Sequence, residues 1–387
     1  MKKIIYPLIS VIFILVTTVN CEDLTDVPNN VPTITTGDVS SVTSHTALIK
    51  KTNSTGKIYE KYEYLMIDTA ESFRDQNYIQ NYTYSDGSVL WYCENLYPNM
   101  KYYYRQCASD GLEYVYGETK SFTTDNLIRV NSIKLAAWGD STSLSNLTGV
   151  DAGAFLVDSA GYSNANTLLK SNTDGSVWSV TPEIQSSTKP SRLYVYAPYS
   201  LSQDYFNIYQ ALYKSNTDFV YGSNNILDKS NSSANVTVHH AFADIVFSVI
   251  RSGNDNVGSS FSDLSIYNKM DSIPAEGDFN LVSGSWVEIG MTNQIFRNFT
   301  TFVPDTKTAT DIDVYFFPAS YATGKLTLSL GNGNSTSNIS VSLPACNWKA
   351  GYKYVYPVTV SQSKLVLGDV QIVPWTNNDA GNININN

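Results

Sequence analysis

The chain is poor in charge and in histidine. Lys, Arg, Asp and Glu together supply 16% of its 387 residues, and only three histidines occur. Adjacent residues of a strand face opposite ways, so His239 and His240 cannot chelate one ion together, and His45 stands far off in the sequence. No Gly-x-Ser-x-Gly, His-Glu-x-x-His, Walker loop or paired Cys-x-x-Cys is present. Most acids sit in evident turns. Asp311 and Asp313 share a strand face, but one pair without further oxygen donors reads as a solvated surface. Acidic residues outnumber basic ones 35 to 25, for a net charge of −10. No basic stripe gathers the Lys and Arg that phosphate binding requires, which excludes nucleic acid as a partner. The expectation is a non-enzyme with no catalytic, cofactor-binding or metal-binding residue.

Long apolar runs are scarce as well. The one that stands out, Ile4 to Val19 behind Lys2 and Lys3, is about 16 residues long, too short for a ~30 Å hydrocarbon core and suited to a signal-peptide core. It ends directly at Cys21, in the manner of a bacterial lipoprotein signal whose cysteine thiol is acylated. Cys21 is therefore the expected lipid attachment site, and the lipid the only expected membrane contact. The acidic start resembles a surface-export signal, so the expected location is the outer face of the outer membrane. Once Cys21 is spent, Cys93, Cys107 and Cys346 form an odd, sparse set that does not read as a disulfide framework.

What is abundant is tyrosine, 28 residues, together with Ser, Thr, Asn and Val. That composition favours antiparallel strands joined by polar turns. After an aperiodic tether at 21–32, short apolar segments recur at sandwich spacing from 33 to 125: Ala47–Ile49, Tyr62–Met66, Ser88–Cys93, Tyr102–Cys107 and Glu118–Thr124. From there to the C-terminus strand follows strand, with Ala234–Arg251 expected as one long strand and Asp204–Leu212 as a short helical crossing. Gly331-Asn332-Gly333-Asn334 reads as a hairpin turn. The rings of Tyr59, Tyr62, Tyr64, Tyr78, Tyr82, Tyr84 and Trp91 could line a sugar-stacking platform, although tyrosine also builds sandwich cores.

Two resemblances give these strands an architecture. Leu96-Tyr97-Pro98-Asn99-Met100-Lys101-Tyr102 resembles the tyrosine corner of fibronectin type III domains, with Leu96, Pro98 and Tyr102 as its core. That alignment turns Cys93 inward and Cys107 outward, so the two thiols should not meet. Further on, the ordered segments Val150–Phe155, Leu193–Tyr199, Thr217–Gly222, Val238–Phe247, Ala350–Tyr354 and Val370–Trp375 resemble the fimbrillin superfamily of pilus subunits and pilus-like lipoproteins, with His240, Phe242 and Trp375 as structural landmarks. The resemblances imply an all-β chain of tandem β-sandwiches: signal peptide 1–20, tether 21–32, a fibronectin type III-like domain at 33–125, and two fimbrillin-like Greek-key sandwiches at 126–252 and 253–387, with the seam near Ser252–Val257. They imply a structural or adhesive surface lipoprotein that joins other pilus subunits, or host or bacterial surface ligands, by β-strand addition. Arg129, expected in the linker 125–130, is the candidate processing site. Because a whole domain precedes it, cutting there would detach the pilus-like part from its lipid, which favours an uncleaved anchor, tip or accessory subunit. The alternative is a glycan-binding surface lipoprotein of a polysaccharide-uptake system.

Overall fold

The computed structural model describes residues 33–373 except 54, 56–62, 80–81, 86, 110–113, 138, 140–142, 162–164, 188, 202–206, 213–214, 225, 254–259, 269, 333–337 and 362–363. Cys21, Trp375, the signal segment and the tether lie outside the described residues. Every regular element among the described residues is a strand, so the chain is all-β. It forms two compact units, Met1–Leu96 with Met100–Thr124 and Tyr97–Asn99 with Asp125–Asn387.

The first unit holds β1 (Val39–Val42), β2 (Ala47–Lys50), β3 (Tyr64–Asp68), β4 (Asn77–Ile79), β5 (Tyr82–Ser85), β6 (Ser88–Cys93), β7 (Lys101–Ser109), β8 (Tyr114–Tyr116) and β9 (Lys120–Thr123). One sheet runs β1-β2-β6-β5 and the other β4-β3-β7-β8, with β9 also on β7. Alternation sends Ile49, Trp91 and Cys93 from one sheet and Leu65, Ile67, Tyr102 and Tyr104 from the other into a shared core. Gln106 is fully buried there and fully employed: its Oε1 accepts from Thr52 N at 3.0 Å and from the Trp91 indole at 3.3 Å, while Nε2 donates to Thr52 O at 2.8 Å. A satisfied buried amide avoids the ~1–3 kcal/mol that an orphaned one would cost. Cys107, in the other sheet, turns away from the shared core that holds Cys93 and is buried with Met66 and Phe73, and both thiols are free.

The second unit begins with β10 (Arg129–Ala136), β11 (Leu144–Asn146), β12 (Ala152–Asp158), β13 (Thr167–Ser171), β14 (Trp178–Thr181), β15 (Ser191–Ala197), β16 (Asn207–Ala211), β17 (Val220–Ser223) and β18 (Ser233–His240). Except for β16, these strands form one sheet in the order β11-β10-β18-β17-β15-β12-β13-β14. The sheet encloses an aliphatic core that includes Ile133, Leu135, Leu193, Val195, Val236 and Val238. Gly153 is required beside Tyr196, whose ring would lie 2.1 Å from a Cβ at that position.

The rest comprises β19 (Ala243–Arg251), β20 (Phe261–Asn268), β21 (Ile273–Asn280), β22 (Ser285–Thr292), β23 (Gln294–Phe302), β24 (Thr310–Phe316), β25 (Ala319–Tyr321), β26 (Leu326–Gly331), β27 (Ile339–Ser342), β28 (Cys346–Trp348), β29 (Lys353–Val360), β30 (Leu365–Leu367) and β31 (Gln371–Val373). One sheet runs β24-β19-β29-β30, with β31 also on β29, and a second runs β23-β20-β26-β27. Ile245, Phe247 and Val249 of the first share a core with Leu264, Ile266, Leu328 and Leu330 of the second.

Three expectations are corrected here. The strand expected over Ala234–Arg251 is two strands, β18 and β19, in two different sheets. The chain bends between them at Ala241-Phe242, where the Phe242 ring packs 4.9 Å from Trp286 and 5.2 Å from Phe317, and the Trp286 indole donates to Ala241 O. The change of sheet therefore falls ahead of Ser252–Val257, and the two halves are not separate. β16 pairs with β21, and Phe155, Tyr196 and Phe219 join the same core as Phe242 and Phe279. Asp204–Leu212, expected to be helical, contains strand β16: Ile208 and Leu212 are buried while Asn207 and Tyr209 are exposed, and a strand edge supplied by β21 decides the outcome. Finally, 125–130 is no free linker, because Ile128 and Val130 are seated in the aliphatic core and Ile128 N donates to Ile184 O at 2.8 Å.

Candidate functional site

β10 enters its sheet with one edge only partly used. β18 pairs with it in parallel from Arg129 to Leu135, whereas on the other side β11 covers Lys134–Ala136, Leu147 N donates to Ile133 O and Ile128 N donates to Ile184 O, which leaves Arg129–Ser132 without a strand neighbour there among the described residues. β14, at the far end of the same sheet order, is paired on one side alone, by β13. Between these two strands lies a cleft of about 450 Å³ lined by Ile128, Arg129, Val130, Val177, Trp178 and Val180, among others. Its floor is apolar, since Ile128, Val130 and Trp178 are buried, and Val177 stands 62% exposed at the rim. The Trp178 indole is fixed by donating to Gly175 O at 3.2 Å. Gly175 has φ +69 and leaves no room for a Cβ, which would meet Leu147 O at 2.4 Å. Unpaired backbone edges over an apolar floor are what an added strand needs: main-chain hydrogen bonds supply affinity and pockets for alternate side chains supply selectivity.

A second edge has the same character. β22 borders its three-stranded sheet and exposes Val287, Ile289 and Met291 in strict alternation, at 37%, 42% and 53%. The alternation is legible in the sequence, but nothing in the residues alone says that β22 is an edge.

Arg129 is an exposed side chain at the rim of the cleft, yet its backbone is inside β10, with Arg129 N donating to Ser232 O at 2.9 Å. Leu96 and Tyr102 lie in the first unit's core, where Tyr102 stacks on Phe122 at 5.7 Å, and Pro98 is half-buried. Trp91 is 1% exposed and belongs to that core rather than to a surface platform. Tyr59 and Tyr62 lie outside the described residues. The outer face of β4-β3-β7-β8 is nonetheless aromatic. Tyr64 packs edge-on to Tyr78 at 4.9 Å and near Tyr114 at 6.3 Å, and the Arg105 guanidinium sits between Phe73 at 4.4 Å and Tyr116 at 4.1 Å.

His240 and Phe242 frame the bend between the two sheets. His240 Nδ1 lies 2.5 Å from Asp218 Oδ2, and both side chains are buried. Beside them Asp244, 1% exposed, is in register with Tyr315 on one neighbour and Lys353 on the other. Lys353 Nζ stands 3.6 Å from Asp244 Oδ2 and 3.8 Å from Asp313 Oδ1. Neither Asp244 oxygen has a closer hydrogen-bond partner among the described residues. Burial, then the nearby Asp313, push the Asp244 carboxyl up to about 8, against the opposing pull of Lys353. Burial also raises the Tyr315 phenol well above its ordinary range.

A family model described as fimbrillin-like matches residues 119–375. The chain belongs to the fimbrillin-like family. Similar solved structures include a protein assigned to cell adhesion from Bacteroides ovatus, at 16% identity over 65% of this chain and 99% of that one, with a TM-score of 0.49. A fimbrial protein from Bacteroides vulgatus is 15% identical over 65% of this chain and 99% of its own, with a TM-score of 0.41. The fimbrial anchor protein Mfa2 of Porphyromonas gingivalis is 9% identical over 63% and 97%, with a TM-score of 0.35. No curated protein matches the chain. The residue-level roles rest on its own geometry.

Proposed function

We propose that the protein is an adhesive surface lipoprotein, acylated at Cys21 and exposed on the outer membrane, that serves a pilus as anchor, tip or accessory subunit. Its first unit is a fibronectin type III-like spacer, and its fimbrillin-like region accepts a strand from a neighbouring subunit in the β10–β14 cleft. The observation that carries this reading is the unpaired stretch of β10 facing the unpaired edge of β14 over Ile128, Val130 and Trp178. Arg129 stays uncut in this role, since the paired backbone around it is a poor protease substrate and cleavage would release the fimbrillin-like region from its lipid. The decisive test compares wild type with Val177→Asp, whose rim position spares the core, for co-purification with pilus subunits from intact cells. Loss of the co-purified subunits with unchanged surface display is the expected result. Undiminished assembly in Val177→Asp overturns strand acceptance in this cleft.

A second reading, a glycan-binding lipoprotein, is favoured by one observation: Tyr78, Tyr114 and Tyr116 are 53%, 55% and 46% exposed on one sheet face of the first unit. Ring faces of this kind stack on the apolar faces of sugars. A glycan array probed with the ectodomain separates the two readings. Binding abolished by Tyr78→Ala and Tyr114→Ala supports the second, and a blank array removes it.

A further inference from the structure

Asp244 is a buried group that no strand-docking role uses. We propose that Asp244 and Lys353 condense to an intramolecular amide, a covalent bridge between the first strand of the C-terminal half, β19, and its late parallel neighbour β29. Three observations carry this. The two residues are direct register partners on adjacent strands, so their side chains leave the sheet on the same face, and the amine lies 3.6 Å from Asp244 Oδ2. Asp244 is 1% exposed and, among the described residues, its oxygens have no hydrogen-bond partner beyond the 3.6 Å ion pair with Lys353, a costly arrangement for a buried carboxyl that remains a free acid or anion. A second carboxyl, Asp313, lies 3.8 Å from the same amine, and its register partner Val246 is two positions from Asp244 on β19, so it shares the face.

The chemistry balances without an added oxidant or cofactor. The Lys353 amine, once it has given up its extra proton, attacks Cγ of the protonated Asp244 carboxyl, forming an N–C bond. Asp313 takes a proton from the attacking nitrogen and returns it to the departing hydroxyl, which leaves as water. Burial keeps the Asp244 acid protonated near neutral pH, the form that can be attacked, and shields its carbonyl carbon from the reverse hydrolysis, while Asp313 stands half-exposed beside it. Fixing amine and acid on neighbouring strands replaces an encounter in solution with an effective molarity on the order of 10⁵ M or more. The product exchanges an ionisable pair for one neutral amide and ties β19 to β29 against forced separation, whichever function the surface serves.

The test is the intact mass of the full chain under denaturing conditions, followed by proteolysis. The expected mass is lower than that of the processed sequence by one water, with a branched peptide joining the segments around Asp244 and Lys353. Lys353→Arg and Asp244→Ala should each carry the full mass, and Asp313→Ala should retain both ends but lose most of the condensation. A wild-type mass with no water missing, or separate unmodified peptides containing Asp244 and Lys353, overturns the proposal. A missing water located elsewhere in the chain overturns it equally. The wild-type measurement decides even if a variant fails to fold.

Discussion

The two cores of the second unit are built differently. The core under β19, β20, β26 and β29 is rich in rings, with Phe242, Phe247, Phe261, Phe279, Phe316, Trp348 and Tyr356 among its members, while the core under β10, β12, β15 and β18 is aliphatic except for Trp178. Rings with polar handles lock orientation as well as filling volume. The Trp348 indole donates to the Tyr356 hydroxyl at 3.1 Å, and the Tyr354 hydroxyl to Asn347 O at 2.9 Å. The aliphatic core has one ring tied in this way, Trp178 through its indole to Gly175 O, and that ring sits where the sheet stays open. The lesson is that the aromatic half, although β22 leaves it an open edge, reads as scaffold and the aliphatic half, with its apolar cleft, as the place where a partner completes the structure.

Phe247→Ala should break the aromatic half most severely, by about 3–5 kcal/mol in chemical denaturation, because a fully buried ring leaves a cavity. The next effect concerns pH. In Asp313→Ala, where most molecules lack the amide, Asp244 is a titrating acid whose folded pKa lies above the ordinary 3.8 because it is buried. The folded state then holds a proton that the unfolded chain has released, so stability is full below about pH 4 and falls as pH rises toward the folded value, by at most about 1.4 kcal/mol per pH unit. Wild type should lack this slope in urea titrations between those limits. Ile133→Val in the aliphatic half should cost about 1 kcal/mol, a single methyl in a core of interchangeable side chains. Smallest in stability is Val177→Lys, within about 0.5 kcal/mol because the side chain is at the surface, yet it should abolish capture of a partner strand.

Much of this was legible in the residues. Period-two alternation marks β15 and β29, short apolar runs mark β6 and β12, and the ordered fimbrillin-like segments point to the family that matches residues 119–375. What failed did so for nameable reasons. β21 carries Pro274, Gly277 and Asp278, poor strand formers on their own, and is held by β16 and β22 with register shifts near Pro274 and Glu276. β16 looked helical because four residues of spacing separate Ile208 from Leu212, a separation that both a helix and a strand place on one side. The bend at Ala241-Phe242 was hidden inside an unbroken apolar run, since only the distant Trp286 and Phe317 explain it. The β10–β14 cleft is a property of sheet order, which no local pattern encodes. The Asp218–His240 contact shows the same limit: His240 was singled out, but its partner lies 22 residues away on another segment.

The central claim is that the cleft between β10 and β14 is completed by a strand from another subunit. A photo-crosslinking residue placed at Val177, on the cleft rim, and for comparison at exposed Lys189 tests it in cells. Crosslinks from position 177 to an extended terminal segment of a pilus subunit, absent from position 189, are the expected result. No adduct from position 177, or the same adducts from both positions, would contradict the account.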